Sequence, residues 1–356
     1  MSLLSINKLK ENLEKNKTGR IFWVTGNKSF NKCKNDNRLR SIIKSRKSIF
    51  FNDFTPNPNE KDLKKGCKKF LSKDCEEIVA VGGGSVIDMA KLILYKSNTK
   101  NKDKIKFHVI PTTAGSGSEA TNFAVLYKEK IKHSIQDDII KPDYVYFDVD
   151  YLLSNSNYQI ACSGFDAFAQ AIESYWSVNS NAESEKNSLR ALTLILGSIE
   201  DSYKGDKGSL NKLYQGSYLA GKAINVAKTT AAHAFAYSFT SNYGLPHGHA
   251  VAMTLSFFYK KFKDLNEETC QDDRGLEFVR SKISKLNEIF DEFNTCIQDI
   301  IDTLNLDINP SNFFIRENEI ENVIINKVNY ERLKNYPMKF NLNELRNYFK
   351  SFYEKN

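Results

Sequence analysis

The 356-residue chain lacks the features of a membrane-spanning or disulfide-stabilised protein. No stretch approaches the roughly 18 consecutive apolar residues that a transmembrane helix needs. Residues 1–15 alternate lysine and glutamate with leucine and have no apolar core, which argues against a signal peptide. The six cysteines form no CxxC pair and no regular framework, as is typical of reduced thiols. We therefore expect a cytoplasmic protein without a membrane partner.

The chain also has little excess of either charge. Its 51 lysines and arginines against 43 acidic residues leave a formal charge of +8. The basic residues are interleaved with acids rather than clustered, so a nucleic-acid partner is the weakest of the alternatives. A modest positive field could still attract an anionic substrate or cofactor. The length allows two domains, and 41% hydrophobic with 26% charged residues is ordinary for a globular enzyme.

The first 155 residues alternate strand and helix signals, which predicts an α/β domain. The expected strands are residues 20–25, 48–51, 77–81, 106–110 and 144–147, with a hairpin of 123–127 and 131–135. After residue 150 helical periodicity replaces strand signals. The expected helices are residues 160–176, 184–202, 210–227, 231–243, 249–261, 281–304, 316–327 and 342–352. The predicted fold is therefore an α/β domain, residues 1–155, followed by an all-α domain, residues 156–356.

One strand of the first domain leads into a glycine-rich turn, residues 82–85, and then into a helix. Such a turn can hold a phosphate, because glycines admit it closely and the helix N-terminus offers free N–H groups. Neither a Walker pattern nor a clean GxGxxG is present, and a plain tight turn is the alternative. Ser85 and Asp88 also have capping-box spacing. The small and hydroxylic loop at residues 111–119 could wrap a ligand.

The second domain contains a candidate metal-binding set. Asp166 and Gln170 are four residues apart, so they lie one turn apart on one helix face. Three of the five histidines fall within 17 residues, and His233 and His247 are two of them. One carboxylate, one amide oxygen and two imidazoles suit Fe²⁺ or Zn²⁺. The alternative is a buried aspartate with structural histidines. We interpret His108 as a core strand residue.

The order of several motifs resembles that of the iron-containing (group III) alcohol dehydrogenases across most of the chain. The motifs are VGGGSVIDMAK (81–91), IPTTAGSGSE (110–119), KPD (141–143), GFDAFAQAIE (164–173) and His233 through His247-Gly248. The resemblance implies a dinucleotide-binding α/β domain and a helical metal-binding domain, the architecture shared with dehydroquinate synthase. Within the family, residues 170–177, 220–225, 228–230 and 246–251 are most similar to phosphonoacetaldehyde reductases.

The resemblance implies reversible hydride transfer between a nicotinamide cofactor and a small aldehyde or primary alcohol. Metal ligands would be Asp166, Gln170, His233 and His247. Residues implied to bind the cofactor are Gly26, Asn27, Lys28, Gly82, Gly83, Gly84, Ser85, Asp88, Thr112, Thr113, Ser116, Ser118 and Val125. Tyr237, His249 or ordered water could supply the proton. A homodimer is one candidate assembly.

Three departures from the family pattern change these expectations. Gln170 stands where the family usually has histidine, so the fourth ligand is weaker or absent. Tyr237 replaces the second histidine of the usual HxxxH. Gly26 replaces the aspartate that many NAD-using members carry to hold the ribose 2′-OH. Because Asn27 and Lys28 can donate to a 2′-phosphate, we expect NADPH, with NADH as the alternative.

Two lysines and two hydroxyl groups near His233 predict a pocket for an anionic substrate. This predicted set is Lys222, Asn225, Lys228, Thr229 and Thr230, and the alternative is that both lysines point into solvent. The expected reaction is reduction of phosphonoacetaldehyde to 2-hydroxyethylphosphonate, in phosphonate metabolism. The rival hypotheses are a generalist alcohol dehydrogenase, a sugar-phosphate cyclase related to dehydroquinate synthase, and a non-catalytic binding protein whose metal site decayed at Gln170.

Overall fold

The computed structural model describes residues 3–14, 19–97, 105–129 and 131–354. The chain divides into two compact units, Met1–Asn155 and Ser156–Asn356. No helix within the described ranges is long and apolar enough to cross a membrane.

A parallel sheet is the centre of the first unit. Its strands are β1 (Leu3–Ser5), β2 (Arg20–Thr25), β3 (Ser48–Phe51), β4 (Cys75–Gly82), β5 (Lys106–Pro111) and β8 (Tyr144–Phe147). They pair in the order β1-β8-β5-β4-β2-β3, all parallel. β6 (Phe123–Lys128) and β7 (Ile131–Gln136) form a separate antiparallel hairpin. The helices are α1 (Asn7–Glu14), α2 (Asn27–Cys33), α3 (Asn37–Ser45), α4 (Glu60–Leu71) and α5 (Gly84–Ser97).

Both faces of this sheet are buried, which explains why its strands are continuously apolar rather than alternating. In β2, Phe22 and Val24 belong to one core cluster, whereas Ile21 and Trp23 belong to another. The first cluster includes residues of α4 and α5, and the second includes residues of α1, α2 and α3. The predicted α/β class is therefore confirmed, with helices on both sides of the sheet.

The second unit is helical. Its helices are α6 (Asn157–Trp176), α7 (Ala182–Leu196), α8 (Ile199–Tyr203), α9 (Lys207–Ala227), α10 (Ala231–Tyr243), α11 (His247–Lys260), α12 (Leu276–Glu292), α13 (Ile297–Thr303), α14 (Glu317–Glu319), α15 (Tyr330–Leu333) and α16 (Leu342–Lys350). From Ile160 onward nearly every residue of α6 is buried. This helix lies at the centre of the unit, and its contacts place the candidate site.

Several boundaries differ from the sequence-based expectations. The helix predicted at residues 184–202 is two helices, because the chain turns at Gly197 and Ser198, whose hydroxyl donates to Leu194 O at 2.6 Å. The helix predicted at residues 281–304 is broken where Asn294 adopts a positive φ of 47°, which asparagine tolerates better than most residues. Residues 316–327 form α14 and a π-helical turn.

Three elements of the first unit were missed. Gly26 precedes the seven-residue α2, which is too short and polar to show helical periodicity. α3 was likewise unassigned. β1 is a three-residue strand that pairs with β8, so its conformation depends on a distant partner rather than on local pattern.

His108 lies in β5 and is buried, as predicted. Tyr146 hydroxyl accepts a hydrogen bond from Asn12 Nδ2 at 2.9 Å and lies 3.0 Å from His108 Nδ1. The O–H of Tyr146 can donate to Nδ1, which fits a neutral His108 ring. Burial lowers the pKa of His108 from 6.5 to about 3.

We expect this histidine to make the first unit sensitive to acid. A lowered folded-state pKa contributes stability that is complete above pH 6.5 and is lost as pH falls toward 3, because the unfolded chain then binds the proton more readily. His108→Phe should flatten the acid dependence of the unfolding midpoint between about pH 7 and pH 4. His133→Phe, at an exposed histidine, is the matched control. Equal slopes for wild type and His108→Phe would contradict the assignment.

Candidate functional site

Three polar side chains lie along one face of the buried helix α6. Asp166, Gln170 and Glu173 follow one another at intervals of four and three residues, and all three are buried. This spacing places them on successive turns of the same face. The first two were predicted as metal ligands from the sequence, whereas Glu173 was not, although its position seven residues after Asp166 was a usable signal.

The two candidate histidines come from the next two helices of the fold. His233 lies in the first turn of α10, and His247 is the first residue of α11. The adjacent Gly248 is required by packing, because a Cβ there would lie 1.8 Å from the carbonyl oxygen of Cys162 in α6. The backbone of α11 thus lies directly against α6 and brings His247 beside Asp166.

The structure brings together Asp166, His233 and His247. One ligand atom from each of them lies within 4.8 Å of the others. The Nε2 atom of His233 is 3.3 Å from Asp166 Oδ1, and the centroids of the two imidazole rings are 5.3 Å apart. One carboxylate oxygen and two imidazole nitrogens fit a first-row divalent ion such as Fe²⁺ or Zn²⁺.

The charges around Asp166, His233 and His247 shift the pKa values of Asp166 and His233 in the direction opposite to the shift that burial causes. Burial acts to raise the pKa of Asp166, but a hydrogen bond with His233 and the charges of both histidines lower it overall, and Gln170 adds a further hydrogen bond. Burial acts to lower the pKa of His233, but Glu173 and Asp166 together raise it to about 9. Gln170 therefore lies beside Asp166 and supports its ionised form.

Glu173 is fully buried and contacts His233 from the side opposite Asp166. Its Oε2 contacts Nδ1 of His233, and its Oε1 accepts hydrogen bonds from the Thr230 hydroxyl at 2.7 Å and the Ala232 backbone N–H at 2.8 Å. Thr230 also accepts a hydrogen bond from Trp176 Nε1 at 2.8 Å and is itself fully buried. Thr230 therefore supports Glu173, and its role in substrate binding stays a prediction.

The two candidate proton donors occupy different surroundings. Tyr237 stacks on His247 with ring centroids 5.6 Å apart and nearly parallel planes. His249 donates from Nε2 to the Asp307 carbonyl at 2.6 Å, so its Nδ1 accepts from the Tyr158 hydroxyl at 2.8 Å. Burial lowers the pKa of His249. Both ring nitrogens of His249 are thus engaged in hydrogen bonds.

The end of α9 carries the other residues expected to bind substrate. Lys222 and Asn225 are partly buried, and Thr229 is buried. Lys228 has φ 62° and ψ 175°, a backbone region that is essentially reserved for glycine and costs other residues about 1–3 kcal/mol. Its Nζ donates to Asn225 O at 3.1 Å.

A second cation near Lys228 was missed by sequence analysis. Burial and, to a smaller extent, the positive charge of Arg332 in α15 lower the pKa of Lys228 to about 8. The segment around α15 is bound to the link between α9 and α10, since Asn335 Nδ2 donates to Thr229 O at 2.9 Å and Asn329 N donates to Ala234 O. Lys228 and Arg332 are thus held near each other.

The glycine-rich turn of the first unit is built as the sequence predicts. β4 ends at Gly82 and α5 begins at Gly84. A Cβ at Gly83 would lie 3.0 Å from Thr113 Oγ1, and a Cβ at Gly84 would lie 2.7 Å from Ser116 Oγ. The hydroxylic loop therefore lies against the turn, together with the buried Thr112.

The carboxyl end of β2 lies next to the same turn. Gly26 N donates to Val81 O at 3.3 Å, so Gly26, Asn27 and Lys28 follow a strand adjacent to β4. This is the position from which a parallel α/β sheet contacts the ribose of a dinucleotide.

Other predicted cofactor residues support the loop from within. Asp88 accepts hydrogen bonds from Ser118 Oγ at 2.5 Å and from Val125 N at 3.1 Å. Ser85 lies inside α5 and accepts from Asn57 N at 3.2 Å, so the capping-box interpretation is wrong.

Lys91 fastens the loop that follows β5. Its Nζ lies 2.6 to 2.8 Å from the carbonyl oxygens of Ser118, Thr121 and Phe123 and 2.9 Å from the Thr121 hydroxyl, so three N–H groups are shared among four acceptors. Burial lowers the pKa of Lys91 to about 8. One ammonium group thus satisfies four oxygens of a segment that has little regular structure of its own.

Comparison with known proteins agrees with this arrangement. Residues 4–149 match the family model "Iron-containing alcohol dehydrogenase", and residues 160–353 match "Fe-containing alcohol dehydrogenase family, C-terminal". The chain belongs to the iron-containing alcohol dehydrogenase family. The expected family is thereby confirmed.

Individual members of the iron-containing alcohol dehydrogenase family show how far the similarity extends. Alcohol dehydrogenase 4 of Saccharomyces cerevisiae is 32% identical over 216 residues, 56% of each chain. Phosphonoacetaldehyde reductase of Streptomyces viridochromogenes is 30% identical over 232 residues, 58% of each chain. The chain thus spans just over half the length of these curated relatives. A sulfoacetaldehyde reductase from Bifidobacterium kashiwanohense, solved with NAD⁺, shares the fold with a TM-score of 0.84, 24% identity, and coverage of 99% of this chain and 95% of that one.

Proposed function

We propose that this protein is a metal-dependent NAD(P)H oxidoreductase that reduces a small anionic aldehyde to a primary alcohol. The observation that carries the proposal is the convergence of Asp166, His233 and His247 in a chain of the iron-containing alcohol dehydrogenase family. A bound divalent ion supplies Lewis acidity to the carbonyl oxygen, and a nicotinamide supplies the hydride.

The chain's own residues have distinct tasks in this proposal. Asp166, His233 and His247 hold the ion, while Gln170 sustains the ionised form of Asp166. Tyr237, stacked on His247, is the candidate donor of the proton that the new alkoxide needs. The turn at Gly82–Gly84 gives the pyrophosphate access to backbone N–H groups, with Thr113 and Ser116 beside it.

Metal dependence is the first test. Removing one of three ligands leaves too few donors, so His247→Ala should lose the ion and lower kcat/KM by roughly two orders of magnitude or more. The measurements are the metal content of protein purified without chelator and the rate of aldehyde-dependent NADPH oxidation. His133→Ala, at an exposed histidine outside the site, should match wild type. Full activity of chelator-treated, metal-free protein would refute the proposal.

The cofactor preference is proposed from the end of β2. Gly26 offers no carboxylate to repel a 2′-phosphate, and Asn27 and Lys28 follow it at the carboxyl end of the strand. An ammonium group nearby compensates the charge of a phosphate. We therefore propose NADPH as the preferred cofactor.

Gly26→Asp should shift the preference toward NADH, by roughly tenfold or more in the ratio of kcat/KM values. The backbone accepts the change, since φ is −79° and ψ is 141°. A Cβ would meet Ser29 Oγ at 2.5 Å, so Gly26→Ala serves as the control for crowding alone. Kinetics with both cofactors measure the effect. Equal efficiency of the wild type with NADPH and NADH would contradict the proposal.

An anionic substrate is proposed from the end of α9. Lys228 and Arg332 lie close enough for the charge of Arg332 to lower the pKa of Lys228, and two neighbouring cations suit an anionic group such as a phosphonate. The strained backbone of Lys228 is itself typical of a residue kept for function. Two of the similar proteins are a phosphonoacetaldehyde reductase and a sulfoacetaldehyde reductase, whose names denote aldehydes with an anionic group. Phosphonoacetaldehyde is our best candidate, and 2-hydroxyethylphosphonate is the product.

Lys228→Gly tests this substrate class without adding backbone strain, because glycine adopts the observed φ and ψ freely. The KM for phosphonoacetaldehyde should rise roughly 10- to 100-fold, the loss expected for one charge-assisted hydrogen bond. The KM for propanal should stay within about twofold. Lys204→Gly, at an exposed lysine of the same unit, controls for net charge. If wild type reduces propanal as efficiently as phosphonoacetaldehyde, the protein is a generalist alcohol dehydrogenase.

A further inference from the structure

We propose that Glu173 is a positioning residue that fixes the proton and the orientation of His233, so that Nε2 of this histidine is presented to a divalent ion. The inference rests on the metal centre of the proposed function and adds a residue to it. Glu173 would not contact the ion or the substrate, and it would act through His233 alone.

The geometry of Glu173 supports this role. The two nitrogens of His233 face two carboxylates, with Nδ1 against Glu173 and Nε2 toward Asp166. Because a carboxylate can only accept a hydrogen bond, Nδ1 must carry a proton. With Nδ1 protonated, loss of the second proton leaves the lone pair on Nε2, the atom within the group of three ligands. A carboxylate behind a ligand histidine commonly orients the ring and increases its basicity.

Glu173 is itself held rigidly, so it can transmit orientation. Its Oε1 accepts hydrogen bonds from two donors, the Thr230 hydroxyl and the Ala232 N–H, at 2.7 and 2.8 Å. The Thr230 hydroxyl is anchored in turn by Trp176, three residues beyond Glu173 on α6. The carboxylate is buried and has little freedom to rotate.

The same contacts allow a competing, purely structural explanation. α10 has no hydrogen bond from the side chain of its own N-cap residue, Thr230. Glu173 supplies an acceptor to Ala232 N, near the positive end of the helix dipole, and so caps α10 from outside. A test must therefore separate the capping of the helix from the orientation of the histidine.

The variant Glu173→Gln keeps the cap of α10 but changes the hydrogen bond to His233. The amide oxygen can still accept from Thr230 and Ala232, which are both donors and so fix the orientation of the amide. The NH₂ group must then face His233 Nδ1 and donate to it. Nδ1 becomes the acceptor, and the proton of a neutral ring moves to Nε2, where it blocks metal binding. The cap is kept while the tautomer is reversed.

The measurement is the affinity of the metal-depleted full chain for Co²⁺, by competition with a chromophoric chelator. Glu173→Gln should bind Co²⁺ roughly 10- to 100-fold more weakly than wild type. The unfolding midpoint of the metal-free protein should change little, because the cap remains. Ser174→Ala is the matched control, since Ser174 is an equally buried residue of α6 whose hydroxyl contacts Ser188. It should leave Co²⁺ affinity unchanged.

Each remaining outcome overturns a different statement. Equal Co²⁺ affinities of Glu173→Gln and wild type would refute the positioning role while leaving the metal centre intact. A loss of affinity in Glu173→Gln that is matched by a fall in metal-free stability would show that Glu173 only caps α10. Failure of wild type to bind Co²⁺ would overturn the proposed metal centre and this role with it.

Discussion

The candidate metal centre depends on one close contact between two helices. α11 can bring His247 beside Asp166 only because its next residue is Gly248, whose backbone lies against the Cys162 carbonyl of α6. Any larger residue would push α11 away and separate the two candidate ligands. The other members of the site are placed by the same helix, since α6 carries Gln170 and also Glu173, which contacts His233. A backbone contact without side-chain chemistry thus sets the geometry on which the proposed chemistry rests.

Each unit also contains a buried charged side chain, Lys91 or Glu173, that binds several groups of an irregular segment. Lys91 joins four oxygens of the loop after β5, and Glu173 joins His233 and two donors at the start of α10. An ion without such partners would cost several kcal/mol to bury, so each charge holds its partners in place. In both units the segment so held contains residues proposed to bind a ligand. Each charge therefore joins residues of a short stretch within its own unit.

The sequence predicted the fold class, the family and the type of most long elements. Its motifs occur in family order, and continuous apolar runs mark strands that are buried on both faces. It did not predict α2 or β1, because α2 is short and polar and β1 depends on a distant partner. It did not predict α3 either, although Leu39 and Ile42 have helical spacing. Two predicted helices proved to be broken where Gly197 and Asn294 turn the chain. Helical periodicity continues through such turns, so the pattern alone could not place them.

What the sequence determined by itself was the inventory of the candidate site: a carboxylate and an amide one turn apart, two histidines, and a glycine turn at the end of a strand. Spacing along one helix is local information, and a sequence states it directly. Only the tertiary structure decided how residues distant in the chain are used. In the folded chain Thr230 donates a hydrogen bond to Glu173, and both ring nitrogens of His249 are hydrogen-bonded. Arg332 lies near enough to Lys228 to lower its pKa. These roles follow from packing between helices, which no local pattern encodes.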